Sequence, residues 1–311
     1  MNISPGYVGI DVSKATLDVF DAALGRGERI ENASAAIAAL LRRWRSKEVF
    51  VLFEATGTYD RLLRKALSRA GIAFARVNPL RARDFARAAG FLAKTDALDA
   101  RMLAAMAARM RPRATAPVDP GREQLRLLHR RRDQLVLMRQ QERTRFSEAQ
   151  GAEERDDLTR HIAWLSGEIK SLERRTQALL ASLRSLKDAW TRLRSAPGIG
   201  PVAATTLLAL MPELGSCSPK SIAALAGLAP FNRDSGKERG KRTIAGGRKR
   251  VRDALYMAAL SAKRTSPRFA HIYRTMIAAG KAPKLALIAI ARRLLIALNA
   301  MIRDNAQFKA T

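Results

Sequence analysis

An α/β sheet domain, a long charged helical segment and a mainly α-helical third part are what the hydrophobic patterns of this chain predict. Three observations carry that expectation. Strand-like and helix-like runs alternate up to about residue 113; neither a proline nor a strand pattern occurs from about Arg122 to Pro197; and Gly and Pro separate short helices thereafter.

The first part is read in order. Residues 7–22 alternate apolar and polar on either side of a Ser-Lys-Ala turn, the pattern of two adjacent strands forming a hairpin. Beyond Asn32 an Ala/Leu-rich helix runs to about Arg45, and residues 49–53 form a continuous apolar run short enough for a buried strand. Another helix spans roughly residues 59–69; Gly71 ends it, and residues 72–77 supply a further strand before Pro79. This alternation bounds an α/β domain at residues 1–113.

Residues 114–194 read as helical. Ile162, Leu165, Ile169, Leu172, Thr176, Leu179, Leu183, Leu186, Trp190 and Leu193 repeat at steps of three and four. Leu125, Leu128 and Leu135 form a weaker stripe, and Gly151 marks the bend of a helical hairpin. An intramolecular hairpin and an intermolecular coiled coil suit this seam equally, because a seam does not name its partner helix. Residues 195–311 form the third part, ending in an apolar helix over residues 282–305.

Charge bounds the function. With 57 Lys and Arg against 28 Asp and Glu, the formal charge is +29 and the pI near 11.5, which calls for a polyanionic partner. One cysteine, Cys217, excludes an intrachain disulfide framework, and with only three histidines a zinc finger is excluded too. Any catalytic metal must then be held by carboxylates. The N-terminus lacks a secretion-signal pattern, and Arg292 and Arg293 interrupt the apolar tract 285–302, so a cytoplasmic protein without a membrane partner is expected.

Four acids stand where such a metal site would form. Asp11 ends the first strand, Glu54 ends the strand 49–53, and Asp96 and Asp99 open a helix over residues 95–110, on one face at i,i+3 spacing. Hard Mg²⁺ prefers oxygen donors, and paired ions can stabilise the attacking and leaving oxygens of a phosphoryl transfer. Each acid also has a bland reading: Asp96 and Asp99 suit a helix first turn, Asp11 a turn and Glu54 a solvated strand end.

Nucleic-acid contacts are expected further on. Ala-Pro-Gly-Ile-Gly-Pro at residues 196–201, ahead of a helix over 202–211, looks like a helix-hairpin-helix turn in which Gly198 and Gly200 let backbone N–H groups approach a phosphate; a plain interhelical turn is the alternative. Residues 229–252 form a glycine-rich cationic segment in which Lys237, Arg239, Lys241, Arg242, Arg248, Lys249 and Arg250 suit phosphate binding. Ser235 lies inside it, in an electropositive setting that would stabilise an alkoxide, although a Ser-Gly pair is commonly only a turn.

The blocks Gly-Ile-Asp-Val-Ser-Lys at 9–14, Glu-Ala-Thr-Gly at 54–57 and Lys-Thr-Asp-Ala-Leu-Asp-Ala at 94–100 resemble the acidic blocks of the DEDD insertion-sequence transposases. Pro-Gly-Ile-Gly-Pro, Ala-Gly-Leu-Ala-Pro at 226–230, Asp-Ser-Gly-Lys-Glu-Arg-Gly at 234–240 and Leu-Tyr-Met-Ala-Ala at 255–259 resemble their serine-containing domain. The resemblance covers nearly the whole chain. It implies an RNase H-like (RuvC-like) first domain in which Asp11, Glu54, Asp96 and Asp99 bind Mg²⁺, and Ser235 as a nucleophile forming a covalent phosphoserine link to DNA. It further implies homo-oligomers, dimeric or tetrameric, with a site composed from two subunits, and guidance to donor and target DNA by a structured bridge RNA. A hydrolytic junction nuclease using only the acids, and a non-catalytic nucleic-acid-binding protein, are the alternatives.

Overall fold

The computed structural model describes residues 6–45, 47–55, 57–91, 95–115, 119–231, 234–235, 238–239 and 243–309, the side chains of 231, 234–235 and 238–239 excepted. The chain divides into two compact units, residues 1–117 and 118–311.

Unit 1 runs β1 (Gly6–Val12), β2 (Thr16–Asp21), β3 (Arg26–Glu31), α1 (Ser34–Arg42), β4 (Val49–Glu54), α2 (Arg61–Arg69), β5 (Ala73–Val77), α3 (Pro79–Ala88) and α4 (Asp96–Met110). Its sheet has the order β3-β2-β1-β4-β5, with β1 antiparallel to β2 and parallel to β4. Ser13 closes the first hairpin: its hydroxyl meets the Thr16 carbonyl at 2.9 Å and accepts from the Thr16 N–H at 2.9 Å. Strand β3 adds an edge to the expected hairpin. Its Arg-Gly-Glu-Arg-Ile-Glu sequence buries little, as an edge strand facing water can.

The two-residue period of the strands sorts the core into two layers. Val8, Ile10, Val12, Val51 and Phe53 pack with Ile37, Leu40, Leu63 and Leu67 of α1 and α2. On the opposite face Tyr7, Phe50, Leu52, Ala75 and Val77 pack with Met102, Leu103 and Met106 of α4. Helix α4 lies directly on β1 at Gly9, where an added Cβ would stand 2.0 Å from the Ala100 carbonyl oxygen and 2.4 Å from the Ala104 nitrogen. Only a residue without a side chain permits that approach.

Unit 2 comprises α5 (Pro120–Glu148), α6 (Ala152–Ser182), α7 (Arg184–Arg194), α8 (Pro201–Leu210), α9 (Pro219–Leu225), four two-residue strands, α10 (Lys249–Thr265), α11 (Pro267–Ala278) and α12 (Pro283–Arg303). Helices α5 and α6 form an antiparallel hairpin that bends at residues 149–151, with Leu128 and Leu135 against Leu165, Ile169 and Leu172. The α6 seam is therefore met within the same chain. The heptad pattern outlasts the helix: Leu183 is extended (φ −117, ψ 95) and separates α6 from α7. Beyond it Leu186 and Leu193 leave the hairpin seam and join Leu125, Leu207, Leu255, Leu294 and Leu298 in a single large core. The base of the hairpin and the C-terminal helices thus share one core, so the boundary expected near residue 194 does not separate compact units. Helix α12 is long and apolar enough to cross a membrane by composition alone, yet half of it is buried within this unit.

The cationic segment forms a nested β-structure. Strand β6 (Pro230–Phe231) pairs with β9 (Thr243–Ile244), and inside it β7 (Asp234–Ser235) pairs with β8 (Glu238–Arg239). These short strands were not legible in a stretch dominated by Gly, Lys and Arg.

Candidate active site

Strand parity brings the first two acids to one face. Asp11 continues the Tyr7–Gly9 face of β1 and Glu54 the Phe50–Leu52 face of β4, both the face that α4 covers. They lie side by side, one residue beyond the parallel pair Ile10↔Phe53. Helix α4 begins above them: Thr95 caps it, its hydroxyl accepting from the Leu98 N–H at 3.3 Å, and places Asp96 and Asp99 in the first turn. These surroundings act on the proton affinity of Asp11. Burial, then the Asp99 and Asp96 carboxylates, push its carboxyl from an ordinary 3.8 up to about 6.

Two members of this constellation escaped sequence analysis. Asp18 on β2 is the register partner of Asp11, and Arg29 on β3 is the register partner of Asp18. Arg29 donates through Nε to both Asp18 carboxylate oxygens at 3.0 and 3.1 Å, and through a terminal nitrogen to Asp96 at 2.9 Å. Glu54, Asp11, Asp18 and Arg29 consequently form a row across four strands, crossed by the start of α4. Asp18 was hidden because its facing of Asp11 depends on the hairpin register, and Arg29 because its strand carries almost no apolar signal.

The donor set suits a hard divalent cation: every group is a carboxylate, and like charges raise one another's proton affinity in a way a cation would relieve. The arrangement is open. Among the described residues no three His, Cys, Asp or Glu side chains converge closely enough to cage an ion, and Asp96 is turned toward Arg29.

Unit 2 holds the remaining candidates. Ser235 stands in β7 and pairs with Glu238 across the inner hairpin; its side chain, that of Arg239, and Lys237, Lys241 and Arg242 altogether lie outside the described residues. Arg248 grips Glu213 with two 2.6 Å bonds, Lys249 meets Asp253 at 2.7 Å, and Arg250 is bidentate on Asp133 at 2.5 and 2.9 Å. These three cations are thus engaged within the fold, and Arg250, half-buried, shares Asp133 with the buried His129. His129 is 2% exposed; its Nε2 lies 3.2 Å from the Thr206 hydroxyl, which itself donates to the Val202 carbonyl at 2.7 Å. His129 therefore donates from Nε2 as a neutral ring. Burial, opposed by Asp133, lowers it from 6.5 to about 4.

Gly198 has φ +78, and an added Cβ would stand 2.2 Å from the Ala258 carbonyl oxygen. Close packing of the α7–α8 turn on α10 accounts for this glycine without a phosphate. Gly200 precedes α8, with open space where a Cβ would project.

The comparisons with known proteins bear on this geometry. A DEDD transposase model of the IS110 type matches residues 8–149, spanning all four acids, and a model described as Transposase IS116/IS110/IS902 family matches residues 190–274, spanning Ser235. The pilin gene-inverting protein of Moraxella bovis is 31% identical over 98% of this chain and 98% of that protein. The chain belongs to the IS110-type transposase family. A pilin gene-inverting protein of Moraxella lacunata is 30% identical over the same shares, and the IS900 uncharacterized 42 kDa protein of Mycobacterium paratuberculosis is 37% identical over 37% of this chain. As a member of the family it is an enzyme of DNA transposition or recombination, and DNA is its substrate class.

Proposed function

We propose that this transposase cuts and rejoins DNA through a carboxylate site formed by Asp11, Glu54, Asp96 and Asp99 and a covalent intermediate on Ser235. What supports the reading is that Asp11 and Glu54 share the sheet face that α4 covers, with Asp96 and Asp99 in the first turn of that helix, in a chain whose serine block falls within the family's second model. Asp11, Glu54, Asp96 and Asp99 would hold Mg²⁺, which supplies charge stabilisation at a phosphoryl centre when bound. The Ser235 hydroxyl loses its proton as Oγ bonds to phosphorus, one bridging P–O bond breaks, and the departing DNA oxygen takes up a proton. The phosphoserine conserves the bond energy, so the reverse attack by a DNA hydroxyl rejoins a strand without a nucleotide cofactor. Consistent with this, the chain has no Gly-x-x-x-x-Gly-Lys-Ser/Thr phosphate loop.

Arg29 and Asp18 act around these ligands. Asp18 offsets the charge of Arg29, so the pair orients Asp96 while adding no net positive charge beside the acids. A homo-oligomer, a bridge RNA that directs site choice by base pairing, and a cytoplasmic location complete the reading, on the strength of the family resemblance.

The test is a strand-joining assay with the element's own ends, comparing wild type, Asp11→Asn and Ser235→Ala with Mg²⁺ and with chelator. Joined product lost in both variants and under chelation supports the proposal. Cleavage that survives Ser235→Ala would point instead to a hydrolytic nuclease using the acids and water.

A further inference from the structure

Unit 2 carries Ser235 on a segment with little stability of its own. The segment consists of the two-residue pair β6·β9 and, inside it, β7·β8. A short two-stranded hairpin is marginal in water without support from elsewhere. Where Ser235 stands is therefore set by what fixes the two ends of residues 228–245. The entry is tied to α9: the Gly227 N–H donates to the Ala224 carbonyl at 2.9 Å and the Leu228 N–H to the Ala223 carbonyl at 2.8 Å. The exit is tied there too, since the Arg248 N–H donates to the Leu225 carbonyl at 2.8 Å while its guanidinium holds Glu213.

The two ends also meet each other. Gly227 and Gly247 have positive φ, +69 and +65, and an added Cβ at Gly247 would stand 2.1 Å from the Gly227 nitrogen. Contact that close leaves no room for a side chain from either end. A side chain from the helix that follows enters instead. Arg252, in the first turns of α10, donates from Nη1 to the Gly246 carbonyl at 2.7 Å and reaches the Gly227 carbonyl at 3.4 Å. Both acceptors are backbone, one on each end of the hairpin. Among the described residues no carboxylate pairs with Arg252, whereas Arg248, Lys249 and Arg250 just before it each close an ion pair. A guanidinium aimed at two neutral carbonyls serves the geometry of the hairpin's base, not charge balance.

We infer that Arg252 is a positioning residue for the reaction at Ser235: by joining the entry and exit of residues 228–245 it holds the base of the hairpin closed, acting through backbone carbonyls and not through DNA. The inference rests on the reading of Ser235 as the nucleophile.

The test compares full-length wild type, Arg252→Met, Arg252→Lys and Ser235→Ala, with the exposed Arg264→Met as a control for loss of one charge on the same helix. Strand joining is measured per folded molecule across a titration of the element's own ends with Mg²⁺. Arg252→Met should lower the rate at saturating DNA roughly 10–100-fold, as a small displacement of a reacting group does. Its half-saturating DNA concentration should stay close to wild type. Arg252→Lys keeps the charge and several donors on one nitrogen, so it should recover part of the rate, and Arg264→Met should match wild type. Hydrogen exchange read by mass spectrometry without DNA gives the second measurement. Arg252→Met should speed exchange in peptides spanning residues 226–248 and leave α5 and α12 unchanged. A full rate at saturating DNA, a loss confined to half-saturation, or unchanged exchange over residues 226–248 would overturn the proposal. Joining that survives Ser235→Ala would overturn the underlying reading of Ser235, a failure told apart from that of the clasp by exchange that still rises in Arg252→Met.

Discussion

Asp11 is a carboxyl whose environment works against its ionisation. Burial and the Asp99 and Asp96 charges raise it to about 6, so the fold prefers its neutral form. Its favourable contribution to stability is complete below about pH 4 and is lost as pH rises through 6. Metal-free Asp11→Asn should therefore melt higher than wild type at pH 7.5 and equal to it near pH 4, while wild type alone gains from added Mg²⁺; calorimetric melts at the two pH values check this. His129 has the opposite sign. Its value is depressed to about 4, so its contribution is complete above about pH 6.5 and is lost as pH falls toward 4. In Asp11→Asn protein, where the opposing Asp11 trend is removed, stability to urea should fall between pH 7 and pH 5, and adding His129→Gln should flatten that decline. Arg29→Gln should lower apparent Mg²⁺ affinity on the order of 10–100-fold, as loss of a ligand-orienting group does. Its melting temperature should stay close to wild type, because the guanidinium is exposed. Isothermal titration with Mg²⁺ separates this from a general loss of folding.

At the level of elements, the joint between β1 and α4 decides whether the acids meet. The helix that carries Asp96 and Asp99 sits on the strand that carries Asp11, and Gly9 sets their separation. Gly9→Ala should push α4 outward and cost ~1–3 kcal/mol of stability, as overpacking does. Strand joining should fall far more than that loss of folded protein explains, which activity per folded molecule, with folding measured by circular dichroism, would show. Much of this joint was legible beforehand. Residues 7–22 announced a hairpin, residues 49–53 a buried strand, and Thr95 with two acids a helix start. What stayed hidden depended on register or on weak local signal. Asp18 faces Asp11 only once the Ser13 turn fixes the pairing. Strand β3 is polar at an edge, and the heptad pattern runs through Leu183 because the same spacing serves a hairpin seam on one side of the break and a globular core on the other.

Across the whole molecule, a charge of +29 leaves the question of which cations are spent inside the fold. Arg248 and Arg250, expected to contact phosphate, close ion pairs with Glu213 and Asp133, whereas Arg42, Lys65 and Arg69 of α1 and α2 are left exposed. Side-chain type and position in the chain do not reveal that division; it follows from which carboxylates the tertiary fold brings near. The carboxylates and Ser235 lie in different units, matched by different family models, so a reaction using both must unite them. The most direct measurement is recovery of a covalent protein–DNA adduct under denaturing conditions, followed by mass spectrometry of the peptide containing residues 234–239. A nucleotide remnant on Ser235, absent from Asp11→Ala and from protein kept without Mg²⁺, is the predicted result. Strand joining with no adduct, or with an adduct on another residue, would contradict the account.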